Sequence, residues 1–237
     1  MSWAWLSLPA ALAAGYLYWR HVWFFRNPPR TPPSGENIVS PADGRVVYAR
    51  VVAAHEEVIL LKQGRALALS DILRFQVSLP RVHVGIFMAP WDVHYNRAPL
   101  AGTVTALLHF PPHRGNVHMT PMQWRTLLKR PPLYRGARHL LYNERLVTTL
   151  RGTFLGEEVD CQVIQIAGGS VRGIDSFTRV GARLEKGDIF GMIRIGSQVD
   201  VVLPWHPAME LRVQPGQRVR AGESILIAPA AGKESDS

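Results

Sequence analysis

One short pattern occurs twice near the C-terminus of this chain: RVGARLEKGDIFGMIRIG over residues 179–196 and RVQPGQRVRAGESILIA over 212–228. Both contain G-x-x-L/V-x-x-G and both run into an apolar stretch. Paired glycines supply the positive φ that tight turns between strands require. A duplicated unit of this kind predicts short strands folded back on themselves.

The rest of the chain agrees. IVSPADGRVVYARVV from Ile38, the stretch Glu57–Leu61, VHVGIFMAP at 82–90, GTVTALLHF at 102–110 and VDCQVIQIA at 159–167 are short apolar runs bounded by Gly, Pro or Asp. Such runs are strands. The expected fold class is mainly β (β-rich α+β), a barrel-sandwich or duplicated-hybrid-like domain over residues 38–230, with the polar tail AAGKESDS frayed.

Residues 112–142 break the pattern. They carry Arg114, Arg125, Lys129, Arg130, Arg135 and Arg138 and lie close to two Pro pairs. They predict an irregular loop or short-helix insertion facing either lipid headgroups or solvent. Residues 26–37, RNPPRTPPSGEN, hold four prolines and predict a stiff extended linker.

Before the linker, residues 3–19 read WAWLSLPAALAAGYLYW without a charge until Arg20, and HVWFF continues the run to Phe25. About 20 apolar residues span a hydrocarbon core. The flanking Trp and Tyr residues suit its interfaces. No Lys or Arg precedes the run, as a cleaved signal would require. Residues 1–25 are therefore expected to form a membrane helix, spanning or interfacial. Arg20, Arg26 and Arg30 place the domain on the cytoplasmic side of the cell membrane. The net charge of +9 suits an anionic phospholipid surface. Cys161 is the one cysteine; it excludes an internal disulfide, and no metal-type Cys spacing occurs, so no metal is expected.

Four stretches carry a resemblance, in order: FFRNPPR (24–30), SPADGRV (40–46), APWDVHYNRAPLAG (89–102) and GMIRIGSQVDVVLP (191–204). The NER at 143–145 adds to them. Together they resemble the short-form, pyruvoyl-dependent phosphatidylserine decarboxylases, from about residue 24 to 228. The resemblance implies a proenzyme that cuts its own Gly196–Ser197 bond. The Ser197 hydroxyl would attack the Gly196 carbonyl, and β-elimination and hydrolysis would turn residue 197 into a pyruvoyl group. A β chain (1–196) and an α chain (197–237) would stay associated as a heterodimer, and a homodimer of the whole is plausible on the same ground. The pyruvoyl ketone would form a Schiff base with phosphatidylserine and take up the electrons left as CO2 departs, giving phosphatidylethanolamine.

Residue by residue, the resemblance makes His94 the acid–base group and Asp43 a residue that orients the base or Ser197. Asn96 and Arg97 become contacts for the substrate carboxylate or phosphate. Longer bacterial members have a second histidine where this chain has Arg97, so their Asp-His-Ser processing triad does not transfer whole. His83, His113 and His118 remain alternative bases. A second Gly-Ser bond, Gly169–Ser170, lies in a segment the family leaves uncut.

Other classes fit less well. A biotinyl-type carrier would present a lysine at its hairpin tip, where AMEL (208–211) has Met209 and Glu210. The basic balance suggests nucleic acid, but no aromatic–basic interleaving is present, so no nucleic-acid partner is expected. The family fold with cleavage lost is a third reading.

Overall fold

The computed structural model describes residues 4–53, 57–60, 66–68, 80–112, 115–135, 137–169, 173–194 and 196–230. The chain opens with α1 (Ala4–Tyr18), which passes into a π-helical turn at Trp19–Trp23. Strands then follow: β1 (Ile38–Val39), β2 (Gly44–Val52), β3 (Glu57–Leu60), β4 (Ala66–Ala68), β5 (Arg81–Met88), β6 (Tyr95–Arg97) and β7 (Gly102–Phe110). Two short helices, α2 (Thr120–Leu127) and α3 (His139–Tyr142), interrupt them. The chain resumes with β8 (Arg145–Phe154), β9 (Glu157–Ile166), β10 (Ile174–Ser176), β11 (Arg183–Leu184) and β12 (Ile189–Ile193). It ends with β13 (Ser197–Pro204), β14 (Met209–Leu211), β15 (Arg218–Val219) and β16 (Ile225–Pro229). The protein is mainly β, as its short bounded apolar runs predict.

The organising element is an eight-stranded antiparallel sheet in the order β11-β7-β8-β9-β13-β5-β2-β15. Three-stranded sheets β1-β16-β14 and β10-β12-β6 and the hairpin β3-β4 complete the set. The two alike sequence segments fold alike. β11 closes one edge of the large sheet and β15 the opposite edge, and each chain then passes into a strand of a small sheet, β12 or β16. The paired glycines, Gly181 with Gly187 and Gly216 with Gly222, all have positive φ.

The central strands of the large sheet are covered on both faces. Val199, Val201 and Leu203 of β13 join Met88, Ile86 and Val84 of β5 in one apolar cluster with Phe190, Ile193, Leu226 and Ile227 of the small sheets. Val202, from the other pleat of β13, packs with Tyr48, Phe87 and the insertion residues Met119, Met122, Leu133, Ala137 and Leu140. The basic insertion therefore has short helices, and its apolar side covers the central strands on one face of the sheet. A strand buried on both sides reads as a near-continuous apolar run.

The linker is extended, without helix or strand over 26–33. It packs on the domain: Arg30 pairs with both Asp43 (2.8 Å) and Glu223 (2.9 Å). The N-terminal segment is shorter as a helix than its apolar run suggests. α1 has 15 residues, about 22 Å at 1.5 Å per residue, against roughly 30 Å of hydrocarbon. Among the described residues no helix is long and apolar enough to cross a membrane. Residue Leu61 of one expected strand, the tail beyond Ala230, Ser170 and His113 lie outside the described residues.

Candidate active site

β13 begins at Ser197, and the residue before it, Gly196, has φ +69°. This is left-handed backbone, which costs a side-chain-bearing residue roughly 1–2 kcal/mol. The Ser197 side chain is fully buried. Its Oγ donates to the Met88 thioether at 3.3 Å, across the β13–β5 ladder that pairs the two residues. A thioether is a weak acceptor and not a base, so it cannot take the serine proton.

The carbonyl between Gly196 and Ser197 has its own neighbour. A Cβ built on Gly168 would lie 1.8 Å from the Gly196 oxygen. Gly168, just past the end of β9, therefore sets its bare Cα against that oxygen. Gly196 itself has open space around such a Cβ. Glycine is required at 196 for its dihedral and at 168 for room. Sequence reasoning passed over Gly168; the available signal was a glycine doublet at a strand end, which often marks close backbone approach.

His94 has no exposed surface. Its Nδ1 lies 2.9 Å from the Asp92 carbonyl. A carbonyl only accepts, so Nδ1 carries the proton and Nε2 keeps its lone pair. Nε2 is buried without a partner. Burial, opposed by the Asp92 hydrogen bond, lowers the His94 pKa to about 4. The ring packs on Phe24 at 4.4 Å between centroids, which brings the end of the N-terminal segment onto this histidine. Ile193 N donates to the His94 carbonyl at 3.3 Å, so His94 lies beside the end of β12, close before Gly196.

Asn96 and Gln165 complete the cluster. Gln165 Nε2 donates to Asn96 Oδ1 (2.8 Å), and Asn96 Nδ2 points to the Pro41 carbonyl (3.4 Å) and to Met88 Sδ (3.8 Å). Met88 thus links Ser197 to Asn96. Gln165 Oε1 is a second buried polar atom without a partner. Neither Met88 nor Gln165 stands out in the sequence, because each is an ordinary inward residue of a strand.

Asp43 and Arg97 lie at the linker side. Asp43 accepts from Arg30 (2.8 Å) and from Ala221 N (2.7 Å). Arg97 donates to the Gly187 carbonyl (2.8 Å) and to Asn27 Oδ1 (2.7 Å). The structure does join their two motifs: Arg97 N donates to the Pro41 carbonyl at 2.9 Å.

The alternative histidines separate. His83 sits on the pleat of β5 facing away from Ser197. There its Nε2 meets Asp200 Oδ2 (2.9 Å), which also accepts from Tyr48 OH (2.7 Å). Gln198 Nε2 bonds both Asp200 and Tyr48 at 2.7 Å, and its Oε1 meets His139 Nε2 at 2.8 Å. All five side chains are buried. Burial and Asp200 raise the Tyr48 pKa well above its usual value, and burial lowers that of His139 to about 4. His118 is exposed, and its backbone and ring base crowd Gly169, next to Gly168.

Comparison with known proteins adds an independent finding. A sequence model described as phosphatidylserine decarboxylase matches residues 17–227. A protein of Thermobifida fusca named phosphatidylserine decarboxylase proenzyme is 37% identical over 222 residues, covering 93% of this chain and 77% of its own. One of the same name from Pelodictyon phaeoclathratiforme is 30% identical, covering 94% and 85%. A putative archaetidylserine decarboxylase proenzyme of Methanopyrus kandleri is 32% identical, covering 95% of both chains.

Proposed function

The chain belongs to the phosphatidylserine decarboxylase family, and on that premise we propose that it is a proenzyme that cuts its own Gly196–Ser197 bond and then converts phosphatidylserine to phosphatidylethanolamine and CO2. The observation that carries this reading is the environment of that bond. It lies within the matched region, behind a left-handed glycine, with its serine in the interior.

Self-cleavage starts when Ser197 Oγ adds to the Gly196 carbonyl carbon. The C–N bond breaks, and Gly196 is left as an ester on Oγ. Loss of the residue-197 Cα proton expels the Gly196 carboxylate from Cβ. Hydrolysis then releases ammonia and leaves a ketone at 197. Each step needs a proton carrier, since a serine hydroxyl is a weak nucleophile alone. His94 suits this role: it is neutral at pH 7 and its Nε2 lone pair is unengaged. Rotation of the Ser197 hydroxyl away from Met88 would begin the reaction.

The surroundings also fit a group that receives a polar substrate. Buried polar atoms are nearly always paired, and two of the described exceptions, His94 Nε2 and Gln165 Oε1, belong to the cluster around Ser197 and Asn96. A pyruvoyl ketone at this position supplies a carbonyl that takes the substrate amine and accepts the electron pair left as CO2 departs. His94 then returns a proton to the carbon that lost it. Asn96, fixed by Gln165, is the assigned contact for the substrate carboxylate. Arg97 is the assigned phosphate contact, with a phosphate oxygen taking the place of Asn27 Oδ1; a guanidinium accepts that exchange readily. Asp43 acts by position: it ties Arg30 and Ala221 to the loop whose Pro41 carbonyl holds Asn96.

The serine headgroup is the element common to the relatives' names, one of which specifies archaetidylserine, so we read specificity as residing in the headgroup. The N-terminal segment is read as membrane-facing, with the domain on the cytoplasmic side. Leu8, Leu12, Leu17 and Val22 are all more than half exposed there, and Arg20, Arg26 and Arg30 follow. The alike segments on opposite sheet edges favour the barrel-sandwich description, and the cut chains are read as one heterodimeric catalytic domain, itself able to pair as a homodimer.

Intact-mass analysis tests the proposal. Purified protein should give a chain of residues 1–196 and one of 197–237 with a blocked N-terminus, and it should release CO2 from carboxyl-labelled phosphatidylserine. Ser197→Ala should give one uncut, inactive chain. Wild-type protein that stays whole would remove the proposal.

A further inference from the structure

Helix α2 is apolar on two sides. Met122 and Thr126 are buried beneath it, while Trp124, Leu127 and the following Leu128 are 57%, 53% and 53% exposed. Residues spaced i, i+3 and i+4 share one helix face, and this face lies opposite the buried one. A helix lying on a solvated surface carries polar residues there. Exposed Lys129 and Arg130 come next.

The patch extends toward the N-terminal segment. Leu127 and Trp91 line the same cleft, of about 110 Å³. Trp91 is also exposed, and its carbonyl accepts from Arg26 Nη2 at 2.5 Å. The Arg26 guanidinium stacks over exposed Trp23 at 4.4 Å. One rim therefore runs from Trp23 through Trp91 to α2, with Arg26, Lys129 and Arg130 along it. Indole rings at headgroup depth, leucines beneath and cations near phosphates are what a bilayer interface takes up.

We propose that this rim docks on the surface of an anionic bilayer, so that the protein is held at α2 as well as through α1. The inference rests on the reading of the N-terminal segment as membrane-facing. Charge selects the occupant: a second copy would bring the same cations against themselves, whereas anionic headgroups complement them. The insertion is also tied to the site at both ends. His118 packs on Gly169, and His139 bonds Gln198, the residue after Ser197. Docking through α2 thus fixes the orientation of the cleavage strand relative to the lipid.

The test uses the full chain in nanodiscs, with Leu127→Cys carrying an environment-sensitive fluorophore. The native Cys161 is buried, with its thiol pushed up to about 12, and stays unlabelled. The same label at Arg183→Cys, on the opposite sheet edge, is the control. In nanodiscs containing phosphatidylglycerol the label at 127 should shift to the blue, and much less in pure phosphatidylcholine; the label at 183 should not shift. A label at 127 that keeps its aqueous spectrum in phosphatidylglycerol discs overturns the inference, as does a shift that depends on protein concentration and so reports a second copy. A chain that does not enter nanodiscs at all refutes the underlying membrane reading instead. Replacing Trp124, Leu127 and Leu128 together by serine gives a second measurement. Activity in detergent micelles should be unchanged, and KM on anionic vesicles should rise about tenfold or more, since burying one leucine alone is worth about that factor. An unchanged KM on vesicles also overturns the inference.

Discussion

Gly168 holds its Cα against the carbonyl oxygen of Gly196, so closely that a methyl group there would come within 1.8 Å of that oxygen. Gly168→Ala should therefore displace the carbonyl that Ser197 must attack. Processing should slow by about a hundredfold, the effect expected of a misplacement near 1 Å. Gly196→Ala meets no atom and should lose roughly 1–2 kcal/mol through its dihedral alone. Gel densitometry of the two chains over time, with circular dichroism as the fold control, separates them; equal processing in Gly168→Ala and wild type would contradict the assignment.

His94 and His139 are buried and neutral, each with its pKa lowered to about 4. Their unfolded values lie near 6.5. Between pH 6.5 and 4 the unfolded chain binds more protons, so stability falls as pH falls through that window. Each imidazole withdraws on the order of 3 kcal/mol across it. Below pH 4 neither adds further loss. Urea midpoints measured at pH 7, 5.5 and 4.5 should decline in step, and His139→Asn should flatten part of the decline.

Gln198→Leu removes the hub of the buried network and leaves Tyr48, Asp200 and His139 each without one partner. Each lost bond costs about 1–3 kcal/mol in the interior. The variant should unfold at clearly lower urea while its slope stays the same. An unaltered midpoint would mean that the network contributes nothing net.

Asp43→Asn keeps an oxygen for Ala221 N but weakens the pair with Arg30. If Asp43 acts by position, processing should slow while the fold persists, and Arg30→Met should slow it in a non-additive way. A double-mutant cycle on processing rate that gives zero coupling between residues 30 and 43 would show that the pair has no part in it.

The repeat was legible because glycine spacing is a backbone requirement, and it located β11, β12, β15 and β16. The Ser197, His94 and Asn96 stretches were legible because motif residues are local in sequence. Gly168 was not, since its role depends on a strand end from elsewhere in the chain. The Gln198–Asp200 network was hidden for a different reason. In SQVDVVLP the polar residues alternate, as on a half-wet strand, and only the packing of Met119, Met122 and Leu140 over that face makes the alternation internal. In the N-terminal run apolarity persists past Tyr18, where α-helical bonding gives way to a π-helical turn that hydropathy does not signal.

The proposed cut falls at the first residue of a strand flanked by β5 and β9, and the chain beyond it supplies β15 to one edge of the same sheet and β16, then β14, beside β1. The 41-residue product would therefore be laced into its larger partner at four separate ladders. Breaking one covalent link creates new termini but no independent subunit. The mature protein should melt in a single transition, resist dissociation on dilution, and never exchange its small chain with another molecule unless it first unfolds.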